Sequence, residues 1–244
     1  MEHRIVSRDE WLAEHRQHLT KEKEHTRQRD RLSAERRELP WVEVEKTYAF
    51  DGPNGKQTLA DLFDGRSQLI VQHFMFGPGW GEGCTGCSFG ADHVDAARQH
   101  LEHHDVSFAA VSRAPWPELE AYRKRMGWRF NWVSSFDSDF NYDYHVSFTK
   151  EDEAKGKVFY NYEIQDYGID ELPGISVFYK DERGRIFHTF SAFGRGDELL
   201  IGTYNYLDFA PKGRNETGPN FNLMDWVRRH DQYEGSGEKA SCCA

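Results

Sequence analysis

The chain of 244 residues carries 41 acidic against 31 basic side chains, a net charge of -10 that leaves no basic stripe for a DNA or RNA backbone. A mean hydropathy of -0.82, with no apolar run near the roughly 20 residues a membrane span needs, excludes a transmembrane helix. Four cysteines are too few for a disulfide scaffold.

Residues 7–38 mix both charges, lack Gly and Pro, and hold few apolar residues (Trp11, Leu12, Leu19, Leu32). Ser7 followed by Glu10 has the form of a capping box. The stretch reads as one long helix or two shorter ones ending before Pro40. It is a solvated arm packed by a few apolar contacts or, in the sharper reading, an arm that forms a homodimer. Mixed charge argues against a nucleic-acid tail.

Residues 41–50 alternate in part and read as a strand. Asp51-Gly52-Pro53-Asn54-Gly55 is a turn, Leu59–Phe63 a short helix, and Gln68–Phe76 a buried central strand. A helix is expected from Ser88 to Leu101, a second buried strand over Val106–Ser112, and a helix over 116–127 opened by Pro115 and closed by Gly127. That succession is a βαβ pattern with a parallel pair. Residues 128–170, with Phe140-Asn141-Tyr142-Asp143-Tyr144, read as a loop-rich excursion packed by its own aromatics, or as a pocket wall. Ile175–Tyr179 is a third strand, Asp181-Glu182-Arg183-Gly184 a turn, and Arg185–Phe190 its antiparallel return. Beyond Pro211 the chain is polar, apart from an apolar helical patch (Phe221, Leu223, Met224, Trp226, Val227). The last eleven residues read as disordered.

The chemistry centres on Cys84-Thr85-Gly86-Cys87, between the central strand and the following helix. A helix N-terminus favours a thiolate over a thiol, and a second thiol one turn on can resolve a mixed disulfide. Cys84 is therefore read as the nucleophile and Cys87 as the resolving thiol. The loop Gly77-Pro78-Gly79-Trp80-Gly81-Glu82-Gly83 lets a partner backbone come close. Trp80 is placed to cover the disulfide and contact substrate, while Glu82 opposes a lowered thiol pKa. Two competing readings are a pair of ordinary buried thiols and a zinc site. CxxC is half of a zinc ribbon, and His93, His100, His103 and His104 lie downstream. No second CxxC exists, and His93 and His100 share a helix face that Cys87 does not, so surface histidines are the simpler account. Cys242 and Cys243 form a vicinal pair that either shuttles electrons or soft metal, or is an idle end.

These runs resemble the thioredoxin superfamily and, more closely, the DUF899 family of bacterial dithiol–disulfide oxidoreductases. The resemblance lies in Leu39-Pro40-Trp41-Val42, His73-Phe74-Met75-Phe76-Gly77-Pro78, Gly83-Cys84-Thr85-Gly86-Cys87-Ser88-Phe89, Val111-Ser112-Arg113-Ala114-Pro115, Ser138-Asp139-Phe140-Asn141, Ser176-Val177-Phe178-Tyr179-Lys180 and Gly202-Thr203-Tyr204. It implies a cis-proline before the third strand, facing the cysteines, a role that falls to Pro173. Gly83 departs from the Trp that precedes the first cysteine in thioredoxins. Neither cysteine has the Pro and Thr/Ser context of a peroxidatic cysteine, so peroxidase activity is the weaker reading.

The expected fold class is α/β: a thioredoxin-like domain over 39–212, a central mixed sheet flanked by helices, with a helical arm at 1–38 and an extension at 213–244. The expected function is thiol–disulfide exchange in the cytoplasm, with no bound cofactor and no metal, on a protein or small-molecule disulfide or dithiol. The electron donor is left open. The alternative is a zinc- or small-ligand-binding protein on the same scaffold.

Overall fold

The computed structural model describes residues 3–166, 168–214 and 225–234. The chain divides into two compact units, 1–41 and 42–244.

The first unit is one helix, α1 (Arg8–Arg37). Ser7 and Glu10 close the capping box reciprocally: the Ser7 amide donates to Glu10 at 2.9 Å and the Glu10 amide to Ser7 Oγ at 3.3 Å. Arg36 and Arg37 in the last turn complement the helix dipole. None of its residues is buried. Its ion pairs, such as His18–Glu22 and Glu24–Arg31, connect exposed side chains.

The second unit holds an eight-stranded sheet in the order β1-β10-β9-β4-β5-β6-β2-β3. In chain order the strands are β1 (Val42–Glu43), β2 (Ala49–Gly52), β3 (Gly55–Thr58), β4 (Gln68–His73), β5 (Val106–Ser112), β6 (Asn131–Ser134), β7 (Val158–Tyr160), β8 (Glu163–Gln165), β9 (Gly174–Lys180) and β10 (Ile186–Phe193). The β7–β8 hairpin stands apart as a two-stranded sheet. The helices are α2 (Thr85–Ala91), α3 (Val94–His103), α4 (Trp116–Met126), α5 (Phe140–Asp143), α6 (Lys150–Ala154) and α7 (Gly202–Phe209), with a 3-10 segment over Gly194–Leu200. β4 runs parallel to β5 and antiparallel to β9, and β9 is antiparallel to β10. A parallel βαβ unit beside an antiparallel hairpin, with the cysteines just after the central strand, is a thioredoxin-like fold.

β4 is buried along most of its length, with Leu69 and Val71 on one face and Ile70 between Gln68 and Gln72 on the other. Leu69 and Val71 pack with Phe50, Phe63, Phe140 and Phe178 on one side. Beyond the strand, Phe74 and Phe76 join Tyr122, Trp128 and Trp132 on the other. Each such fully buried side chain contributes about 1.5–3 kcal/mol. Helix α4 stops where Gly127 takes φ +69°, and the Gly127 and Trp128 amides close onto Lys124 and Arg123.

Several expected elements divide. The strand over 41–50 becomes β1 and β2 at opposite regions of the sheet, because Lys46 between them is drawn to Asp139 and Asp143 at 2.8 and 2.7 Å. The helix over 88–101 becomes α2 and α3, because Asp92 accepts from Trp128 Nε1 and His93 turns toward Thr203. β6 was hidden among the aromatics of 128–170; it pairs in parallel with β5 and buries Trp132 and Val133. Trp226 and Val227 lie in non-helical chain, and the rest of that apolar patch (221–224) falls outside the described residues, as do Cys242, Cys243 and residues 235–244. Among the described residues no helix is long and apolar enough to cross a membrane.

Candidate active site

After β4 the chain stays extended: the Phe74 amide donates to Val111 O and Phe76 O accepts from Ala114. It then turns back through Gly79 and Gly81, at φ +76° and +73°, until the Cys84 amide reaches Met75 O at 3.0 Å. Cys84 becomes the N-cap of α2, with extended backbone, and Cys87 lies one turn in. A Cβ on Gly83 would meet the Phe74 ring at 2.5 Å and Tyr122 at 3.1 Å, so no larger residue fits beside that ring. This accounts for glycine where thioredoxins carry Trp.

Both cysteines are free thiols; Cys84 is half-buried and Cys87 buried. The Cys84 thiol is drawn down to about 6. The largest cause is the hydrogen bond from the Cys87 thiol. Burial opposes it, and the Cys87 and Gly86 amides and the Arg229 guanidinium add to the lowering. Cys87 moves the other way, because it donates to Cys84, is buried, and faces the Cys84 and Asp197 charges. The two thiols are thus pushed apart, Cys84 toward its ionised form and Cys87 toward its protonated form.

The Gly83 and Cys84 carbonyls are each held by a side chain, Arg229 and Ser88. Arg229 donates to Gly83 O at 2.6 Å and to the Tyr122 hydroxyl at 2.9 Å. Tyr122 shares a hydrogen bond with Ser88 Oγ, which donates to Cys84 O at 2.8 Å. Glu82, expected to oppose the thiolate, is instead paired with Arg229 at 3.0 Å and with Arg125. Its charge is absorbed by two guanidinium groups, which corrects that expectation.

The two sulfurs form part of the wall of a cavity of about 580 Å³, which also takes in Gln72, His93, Pro173, Asp197 and Tyr204. Burial lifts the Asp197 carboxyl to about 6. His93 Nε2 faces the Thr203 hydroxyl at 3.1 Å, and burial lowers its pKa.

A family model described as "Bacterial protein of unknown function (DUF899)" matches residues 1–233. The chain belongs to that family. No curated protein matches it. Among solved structures, this DUF899 chain is similar to peroxidoxin BcpB from Mycobacterium tuberculosis (9% identity, 68% of this chain and 96% of that one, TM-score 0.44). It is similar to peroxiredoxin Q from Xanthomonas campestris (12%, 68% and 96%, TM-score 0.45). It is also similar to a putative thiol:disulfide interchange protein DsbE from Chlorobium tepidum (12%, 68% and 94%, TM-score 0.42).

Of the residues singled out in the DUF899 sequence, the fold brings Cys84, Cys87 and Pro173 to one cavity and leaves Trp80 outside its lining. Trp80 is 41% exposed, and its indole folds over Gly77, where a Cβ would stand 2.6 Å from Nε1. No peptide bond among the described residues is cis, so the bond into Pro173 is trans, against the expectation. The reason lies in its approach. Leu172 N donates to Val146 O at 2.8 Å and Phe148 N to Asp170 O at 3.0 Å, so the segment before Pro173 pairs as extended chain. Arg113 fixes that segment, gripping Glu171, Asp170 and Tyr142. The family motif at Val111–Pro115 thus positions Pro173 from behind.

Among the described residues no group of three or more His, Cys, Asp or Glu is arranged to hold a metal ion, so the zinc alternative finds no third ligand there. His100, His103 and His104 are exposed, as the surface reading has them, whereas His93 is half-buried in the cavity wall. Sequence reasoning missed Asp197 and Arg229. Asp197 sits in a conspicuous run, Gly194-Arg195-Gly196-Asp197, just past a strand. Arg229 lies 145 positions from Cys84 with no local signal.

Proposed function

We propose that this protein is a thioredoxin-like dithiol–disulfide oxidoreductase in which Cys84 attacks and Cys87 resolves. The observation that carries the reading is the placement of Cys84 as the N-cap of α2 with Cys87 one turn in, both in the wall of one cavity; the opposed shifts, Cys84 drawn to about 6 and Cys87 held up, agree with it. At pH 7 a group with a pKa of about 6 is roughly nine-tenths ionised, against a few per cent for an ordinary thiol.

The Cys84 thiolate attacks one sulfur of a disulfide R–S–S–R′. A Cys84–S–S–R bond forms, the substrate S–S bond breaks, and R′S⁻ leaves to take up a proton. Cys87 then loses its proton to Asp197 and displaces RS⁻ from Cys84, closing the Cys84–Cys87 disulfide. Two electrons pass from the dithiol to the substrate; the reverse sequence oxidises a substrate dithiol. The direction follows the relative reduction potentials. Pro173, in the wall of the same cavity, is a contact for the bound disulfide. Trp80, exposed on the loop leading to Cys84, is a contact for a larger partner. The cytoplasm, where thiols are kept reduced, suits a pair that starts as the dithiol.

Mixing the reduced protein with a disulfide and trapping with acid tests this. Cys87→Ser accumulates a mixed disulfide on Cys84 and Cys84→Ser accumulates none. Equal trapping in both variants overturns the assignment.

A further inference from the structure

The cavity at the two thiols is shaped for a small molecule. Its volume of about 580 Å³ falls within the roughly 300–1,000 Å³ of small-ligand sites. Ile70, Val94, Leu101, Phe108, Ile175 and Leu200 make most of its wall apolar. Arg195 and Glu198 at its margin are matched within the protein, Arg195 with Glu198 at 2.9 Å and Glu198 with Arg214 at 3.1 Å, and the Asp197 carboxyl in the same wall disfavours an anionic ligand. His93 is engaged by Thr203 and kept neutral by burial.

Two residues of the wall, Gln72 and His73, each hold a buried side-chain atom with no hydrogen-bond partner in the protein, Gln72 Oε1 and His73 Nδ1. Gln72 is 9% exposed, and its Nε2 donates to Cys87 O at 3.2 Å. Its Oε1 is buried with no hydrogen-bond partner in the protein. That oxygen is sealed beneath the wall, so the surface offered to a ligand is set by the aliphatic and aromatic side chains around it.

Resting on the oxidoreductase reading above, we infer that the cavity takes a small, uncharged, largely apolar disulfide. This class, rather than protein disulfides or oxidised glutathione, is the oxidant of Cys84. Cys84 forms a bond to one substrate sulfur as the substrate S–S bond breaks, and Cys87 displaces the second half. Two small thiols leave, and the enzyme keeps the disulfide. Oxidised glutathione would have to bring several carboxylates against an aliphatic wall that offers them no unmatched cation, which desolvation penalises.

The test uses the reduced full-length protein and three oxidants: bis(4-hydroxybutyl) disulfide, oxidised glutathione and insulin. Each rate is divided by that of dithiothreitol with the same oxidant. The expected normalised rate for bis(4-hydroxybutyl) disulfide is at least about tenfold above the other two, and it saturates with concentration. Leu200→Glu, a change at a half-exposed wall position, reduces that preference about tenfold. Alkylation of Cys84 by iodoacetamide, read alongside, checks that the thiolate is intact. Glutathione or insulin reacting as fast, or an unmoved preference in Leu200→Glu, overturns the inference while leaving the oxidoreductase reading in place. No oxidant reacting faster than with dithiothreitol overturns that reading instead.

Discussion

Arg229 donates to the carbonyl of Gly83 at 2.6 Å, one residue before the reactive Cys84, although 146 positions separate the two in the chain. The same guanidinium holds Tyr122 and neutralises Glu82. Arg229 therefore contributes to the electrostatics around two sulfurs that lie far from it in the chain.

Arg229→Met should raise the Cys84 midpoint from about 6 by about one unit, since it removes a cation and leaves Glu82 less compensated. The pH dependence of iodoacetamide alkylation measures this. A midpoint that stays in place would show that the helix-end amides and Cys87 alone set the thiolate.

Asp197→Asn should slow resolution without preventing the first attack. Loss of a proton acceptor typically costs about 100-fold. In the wild type the resolving rate should climb as Asp197 ionises near pH 6 and then level off; the variant should follow the higher pKa of the Cys87 thiol. Rapid-quench measurement of the mixed-disulfide lifetime decides this, and identical pH profiles would remove Asp197 from the mechanism.

Much of this arrangement was legible in the chain. Cys84 and Cys87 announced themselves because their spacing and place at a strand–helix join are local features. β4, β5, β9 and α4 were legible because apolar runs and punctuating residues such as Pro115 and Gly127 are local too. What stayed hidden is non-local. The split of 41–50 follows from Lys46 bonding Asp139 and Asp143, some 95 residues on. β6 is marked by its neighbours β5 and β2, its own four residues, Asn131-Trp132-Val133-Ser134, being too short a pattern. The trans bond into Pro173 follows from pairing with Val146.

Gly83→Ala should destabilise the protein by about 1–3 kcal/mol, the usual cost of forcing atoms into a filled core. The added methyl group meets the rings of Phe74 and Tyr122. Denaturant midpoints report the loss; an unchanged midpoint would mean that the Phe74 ring moves aside freely.

His73 ties acid stability to the core. Burial, with a smaller contribution from His188, lowers its pKa to about 3, and it is 1% exposed. An unfolded histidine titrates near 6.5, so below that pH the unfolded state binds a proton that the folded state refuses. Stability from His73 is full above about 6.5 and is lost as pH falls. Between pH 6.5 and 5 the wild type should lose about 2 kcal/mol more than His73→Gln. Urea titrations at the two values measure the difference, and parallel losses would contradict it.

The most direct measurement is the covalent fate of the two sulfurs after one turnover. Reduced protein treated with one equivalent of a small disulfide should release two thiols and yield a peptide linking Cys84 to Cys87, with dithiothreitol restoring the dithiol. A wild-type product that keeps half of the oxidant on Cys84, or a new bond confined to Cys242 and Cys243, would contradict the account.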